Sequence, residues 1–156
     1  MGVFLVPVPA DGAEIRKCTA FLHDGALRFL APEPATFTLW IDPGGSLAPV
    51  VRKERFTGLD VDLGEIEFGP GSTLHAVLHA RPGVSVPRIY VFVFALDGPK
   101  YDRQMNSNGE SEALVHGLGP GRFEVSAGAI MDSTVLYHGT IEVDGVNDVT
   151  ISIDLK

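Results

Sequence analysis

One cysteine, one tryptophan, no basic run longer than two residues and no long unbroken apolar segment narrow this 156-residue chain at once. Cys18 has no second thiol to pair with and no Cys or His at metal-ligand spacing. An internal disulfide framework is therefore excluded, and the residue reads as a small apolar side chain. With 20 acidic against 12 basic side chains the formal net charge is −8, a balance that repels phosphate backbones and anionic lipid headgroups. Neither a nucleic-acid partner nor membrane insertion is expected. Met1 to Ala10 lacks a cationic start, Pro7 and Pro9 interrupt its apolar residues, and Val6 stands where a myristoylation signal needs Ser or Thr. No signal peptide, span or lipid anchor is expected there. If the parent protein is exported, its signal lies outside this chain.

Chemistry-bearing motifs are equally scarce. There is no phosphate loop and no Gly-x-Ser-x-Gly elbow, so no catalytic residue, cofactor or metal site is assigned. His75 and His79 would be ideal metal partners on a helix, but on a strand they lie about 13 Å apart at about 3.3 Å per residue. Two acidic groups, Asp60, Asp62, Glu65 and Glu67 in one and Asp144 and Asp148 in the other, lack the glycine-spaced ladder of calcium loops. They read as solvated strand edges.

What the chain has in quantity is glycine (18), proline (11) and apolar residues that alternate. That pattern predicts an all-β fold of short strands and tight turns. The stretch Gly117 to Gly128 shows it best: a Gly and Pro corner opens into alternation, with Phe123, Val125 and Ala127 on one face and Arg122, Glu124 and Ser126 on the other. Further strands are expected at Val3–Val8, Ile15–Leu22, Leu27–Leu30, Thr36–Asp42, Leu47–Arg52, Leu59–Phe68, Arg88–Leu96, Leu114–His116, Ser133–Val143 and Val149–Leu155. Asp24-Gly25 and Asn108-Gly109 are hairpin signals, and Asp42-Pro43-Gly44-Gly45 is a turn. Val61 and Leu63 fall on the opposite parity from Ile66 and Phe68, which places a bulge at Gly64. Ser72–Ala80 fits helical and strand spacing equally well.

A repeat runs through these features. Phe123 lies 86 residues after Phe37, Ile153 lies 87 after Ile66, and Asn108-Gly109 lies 84 after Asp24-Gly25. Near-equal offsets in the same order predict two copies of one β-module, at residues 1–68 and 69–156. Val3–Val8 then corresponds to Arg88–Leu96, and nothing in the first copy corresponds to Ser72–Ala80. A missing strand leaves unpaired backbone beside an apolar groove, a template for another strand. Three explanations stay open: a chain cut from a longer array, a strand supplied by a partner, or a shorter variant that folds without it.

The second copy resembles the carboxypeptidase regulatory-like family. The resemblance is carried by Gly71-Ser72-Thr73-Leu74, Arg81 to Pro87, Ile89 to Phe94, Asn108-Gly109 and Leu118-Gly119-Pro120-Gly121-Arg122-Phe123. It covers about 88 residues there and part of the first copy, where Ala31 to Phe37 lacks the corner glycine. It implies a prealbumin-like (transthyretin-type) sandwich of seven strands, in which the segment from Leu74 is a strand. It also implies a non-catalytic accessory, adhesive or structural module, commonly in tandem in exported, cell-surface proteins. The hydroxyisourate hydrolases related to transthyretin end in Tyr-Arg-Gly-Ser, to which Tyr137-His138-Gly139-Thr140 is faintly similar, with His in place of Arg. That hydrolase is the third functional alternative.

Two classes of surface residue remain. Val3 to Val8 and Arg88 to Leu96 are apolar on both faces, and a sandwich covers only one. Val3, Leu5, Tyr90, Phe92 and Phe94 are therefore interface candidates, for protein partners or self-association. Trp40, opposite in parity to Phe37, Leu39 and Ile41, serves an interface or a sugar-stacking platform, the latter with Tyr90 or Tyr101. The leading expectation is a structural or adhesive protein acting by protein–protein association, with strand exchange as one route. A carbohydrate-binding module is the alternative.

Overall fold

The computed structural model describes residues 2–7, 16–18, 20–23, 26–29, 35–56, 62–97, 102–107, 111–131 and 134–155. The described residues are all-β, without a helix. The first half contributes β1 (Gly2–Pro7), β2 (Arg16–Cys18), β3 (Ala20–His23), β4 (Ala26–Phe29), β5 (Ala35–Asp42) and β6 (Val50–Phe56). The second contributes β7 (Ser72–Ala80), β8 (Ile89–Ala95), β9 (Asp102–Asn106), β10 (Glu112–Leu118), β11 (Gly121–Ala129), β12 (Val135–Val143) and β13 (Val149–Leu155). Asp24-Gly25, the first residues of the expected Leu59–Phe68 strand, Tyr101 and Asn108-Gly109 lie outside the described residues.

The second half is a β-sandwich. A three-stranded sheet of order β10-β7-β13 faces a four-stranded sheet of order β12-β11-β8-β9. All pairings are antiparallel except β7 with β13, which run parallel from Val149 opposite Leu74 to Leu155 opposite Ala80. Strict alternation drives this arrangement. Leu74, Ala76 and Leu78 of β7 meet Val91, Val93, Phe123 and Val125 of the other sheet in one buried cluster. That pairing settles the ambiguous Ser72–Ala80 segment as strand, because the neighbours on both sides offer it backbone ladders.

The first half holds a four-stranded sheet, β2-β1-β5-β6, and the separate hairpin β3-β4. Val3, Leu5, Phe37, Leu39 and Ile41 form its core, with Leu63, Ile66 and Phe68 packed against them. The two four-stranded sheets share one order and one register. Arg16, Leu5, Leu39 and Arg52 stand in a row across the first. Arg103, Val93, Val125 and Gly139 stand in a row across the other, 87, 88, 86 and 87 residues later respectively.

Several expected elements differ. Ile15–Leu22 is not one strand: β2 pairs with β1 whereas β3 pairs with β4, so the chain changes sheets near residue 19. The strand expected at Leu47–Arg52 begins only at Val50 and runs on to Phe56. Leu114–His116 extends to Glu112–Leu118. β9 and β10, the strands on either side of the expected Asn108-Gly109 hairpin, belong to different sheets. His23 does pair with Ala26, as a two-residue hairpin requires. Residues 62–68 of the expected Leu59–Phe68 strand are not in a sheet. Gly64 nonetheless adopts φ +67°, and Leu63, Ile66 and Phe68 reach one core across it, as the parity change required.

The halves touch closely. Ala48 N–H donates to the Gly69 carbonyl at 2.9 Å. Gly117, at φ +77°, lies so near residues 46 and 47 that a Cβ would sit 2.8 Å from the Leu47 carbonyl oxygen.

Candidate functional site

The interface candidates separate by strand parity. On β1, Val3 and Leu5 are fully buried in the first core and present nothing to a partner. Trp40 points away from that core, as its parity demands, but is only 9% exposed and belongs to the core cluster of the second half. Phe4, directly across from it on β1, packs against the same cluster. A sugar platform at Trp40 has no open face in this arrangement, because the second half covers the indole.

Beside Trp40 an ion pair joins the halves. Arg103 of β9, itself 9% exposed, donates from Nη2 to Asp42 Oδ1 at 2.7 Å and to the Leu47 carbonyl at 3.2 Å. Its Nη1 reaches the Asp102 carbonyl at 3.1 Å. Asp42 also accepts from Gly44 N–H, so one carboxylate shapes the turn and anchors the partner half. Nothing local in the sequence links positions 42 and 103.

The exposed candidates lie on the outer face of the four-stranded sheet of the second half. Ile89, Val91, Val93 and Ala95 take the inner face of β8, which turns Tyr90, Phe92 and Phe94 outward. Phe92 and Phe94 are 39% and 37% exposed, and Tyr90 is half-buried. The Tyr90 and Phe92 rings meet edge to face, with centroids 5.4 Å apart. Tyr90 lies over Gly128, where any Cβ would collide with the phenol, so the bare glycine lets the ring lie flat along the sheet. These three aromatics, with Glu124 and Ser126, line a shallow open depression.

Two pairs of polar side chains flank this row. Arg122 donates to both carboxylate oxygens of Asp97, at 3.1 and 2.8 Å, and holds that carboxyl below its usual range. Exposed His138 meets Glu124 at 2.7 Å. His138 thus sits in an ordinary cross-strand pair inside β12, within the Tyr137-His138-Gly139-Thr140 segment.

Sequence reasoning passed over a second polar group, on the outer face of β10-β7-β13. His75 Nδ1 lies 2.6 Å from Glu112 Oε1, and its Nε2 lies 3.5 Å from Asp148 Oδ2. Asp148 also accepts from Thr73 N–H, and the Thr73 hydroxyl meets His116 Nδ1 at 3.1 Å. The hydrogen bond to Glu112 is the main cause of a raised His75 pKa, opposed in part by burial and reinforced by Asp148. Asp148 is held low, first by Thr73 N–H. The alternation Thr73, His75 was visible in the sequence, but Glu112 and Asp148 reach it only through two strand registers. His79, four residues along the strand, is exposed.

Three of the acidic side chains, Asp62, Asp144 and Asp148, have structural partners. Asp144 accepts from the Asn147 and Val146 backbone N–H groups and the Asn147 side chain, which lowers its pKa to about 2. Asp62 accepts from Gly64 N–H and shapes the turn there. Among the described residues no three His, Cys, Asp or Glu side chains are grouped to hold a metal ion. No helix among them is long and apolar enough to cross a membrane. No protein-family model matches the chain, and no curated protein matches it.

Proposed function

We propose that this chain is a non-catalytic structural or adhesive protein of the exported kind, built of two prealbumin-like sandwich modules at 1–68 and 69–156. It acts by associating with protein. The recurrence of one sheet order and one register, row for row at offsets of 86 to 88 residues, is the observation that carries the reading. The seven strands from β7 to β13 equal the number that the family resemblance implies. Residues 62–68 also support the missing first strand. Their counterparts in β13 pair only with β7, and no described first-half strand stands where β7 would, so this segment packs on its core without a ladder. Strand exchange is the route by which a partner would complete that half.

Sizing the full chain by light scattering over a wide concentration range tests the association. The expected result is a mass above the 16.7 kDa of one chain that grows with concentration. A single monomeric species throughout would overturn it. The half-buried Tyr90 and exposed Phe92 favour a second reading, a carbohydrate-binding module stacking sugar on the outer sheet face. A glycan array with Tyr90→Ala as control discriminates: binding lost in the variant supports it, and no binding by the parent chain ends it.

A further inference from the structure

On the outer face of the sheet β12-β11-β8-β9, each aromatic of β8 has its own pair of cross-strand neighbours. Phe94 stands between Asp102 of β9 and Glu124 of β11. Phe92 stands between Gln104 and Ser126, and Tyr90 between Asn106 and Gly128. Only the Phe94 rung is acidic, and it is acidic on both sides. Neighbouring strands lie about 4.8 Å apart, so the Asp102 and Glu124 backbones are about 10 Å from each other with Phe94 between them. Among the described residues this face also holds an excess of negative charge. Arg122 already binds both oxygens of Asp97, and His138 is hydrogen-bonded to Glu124. Exposed Asp102 and Glu142 stand beyond those pairs, so the excess remains whether or not His138 is protonated.

We propose that this face is the docking site of a basic, extended peptide segment of a protein partner, with an arginine or lysine over Phe94 between Asp102 and Glu124 and an apolar side chain on Phe92. This rests on the association reading above and names the chemistry of the partner. Charge complementarity selects the occupant. The exposed face of an aromatic ring attracts a cation, and a carboxylate on either side reinforces it. A partner presenting a like-charged face, a second copy of this same surface included, is repelled, and an uncharged one leaves the carboxylates uncompensated. Spacing selects the extended form. Alternate residues of a strand recur at about 6.6 to 7 Å, so a segment laid along β8 meets Phe94 and Phe92 with residues two apart.

The test is a nuclear magnetic resonance titration of the full chain with the blocked peptide acetyl-Arg-Thr-Val-Thr-Tyr-amide. Its twin carries citrulline, which keeps the shape of arginine and removes the charge. Citrulline is expected to weaken binding about 10-fold or more, and added salt to weaken the arginine peptide more than its twin. In the chain, Asp102→Asn is expected to weaken the arginine peptide about 3-fold and Phe94→Ala about 3- to 10-fold. Both residues face solvent, so an unchanged circular dichroism spectrum and melting profile show that the variants are folded. Asp154→Asn, exposed on β13 of the other sheet, is expected to leave binding unchanged, which separates this site from general attraction to a chain of net charge −8.

The outcomes separate the two levels. Equal binding of the two peptides, no binding of either, or an affinity that Asp102→Asn and Phe94→Ala both leave intact overturns this site, while the association reading stands or falls on light scattering alone. Glycan binding that Phe92→Ala abolishes, without binding of the arginine peptide, assigns the row to sugar. Self-association that Asp102→Asn abolishes assigns it to a basic surface of a second copy and overturns a separate partner.

Discussion

His75 brings one imidazole between two carboxylates, and its protonation decides how tightly β10 and the start of β13 are tied to β7. The folded pKa is raised above 6.5. The charged form is therefore favoured in the folded chain, and its contribution to stability is fully present below the unfolded pKa. It is lost as pH rises through the folded value. Asp148 is shifted the other way, so its contribution is present above the unfolded carboxylate range and lost as pH falls through its lowered value. The cluster thus stabilises most between about pH 4 and 6.5, the ordinary carboxylate and imidazole values. Melting temperature is expected to decline between pH 6 and 8 by an amount that His75→Gln removes. An unaltered pH profile in that variant would show that the cluster is energetically silent. The effect should be small, since exposed pairs contribute about 0.2–1 kcal/mol.

At the scale of elements, alternation alone made β5, β8, β11 and β13 legible, and with them the inner-facing residues. It did not say which face of a two-sided strand would be covered. β8 could bury Tyr90, Phe92 and Phe94 or Ile89, Val91, Val93 and Ala95, and the partner sheet chose the second set. The same pattern also became different structures. Residues 149–155 form a strand beside β7, whereas 62–68 stay without a ladder, because backbone groups enter a sheet only where a neighbour offers partners. Where β10 ends, Gly117 sits in left-handed conformation under the backbone of residues 46 and 47. Gly117→Ala is expected to cost about 1–3 kcal/mol, through both strain and displacement of that segment. Urea unfolding checks it, and a wild-type midpoint would mean that the contact is loose.

For the whole molecule the consequential feature is the junction. Trp40, the chain's single tryptophan, sits there beside the Arg103–Asp42 pair, so its fluorescence reports on the contact between halves. Both halves are expected to unfold in one transition, with fluorescence and far-ultraviolet circular dichroism coinciding. Arg103→Ala leaves a largely buried carboxylate without its cation and is expected to cost about 3 kcal/mol. It should move the fluorescence transition ahead of the other. Coincident transitions in that variant would show that the pair does not hold the halves together.

Read alone, the order of residues determined that the chain is all-β, where most inward side chains fall, that Gly64 must reset the parity of its segment, and that two stretches 86 or 87 residues apart echo each other. Those properties follow from the two-residue period of a strand and from turn chemistry, which are local. Tertiary structure alone decided that Trp40 is sealed within the chain while Phe92 is open to solvent, that Arg103 reaches Asp42, and that His75 meets Glu112 and Asp148. Each of these depends on which strands lie side by side and in what register, and that is a property of the assembled sheets.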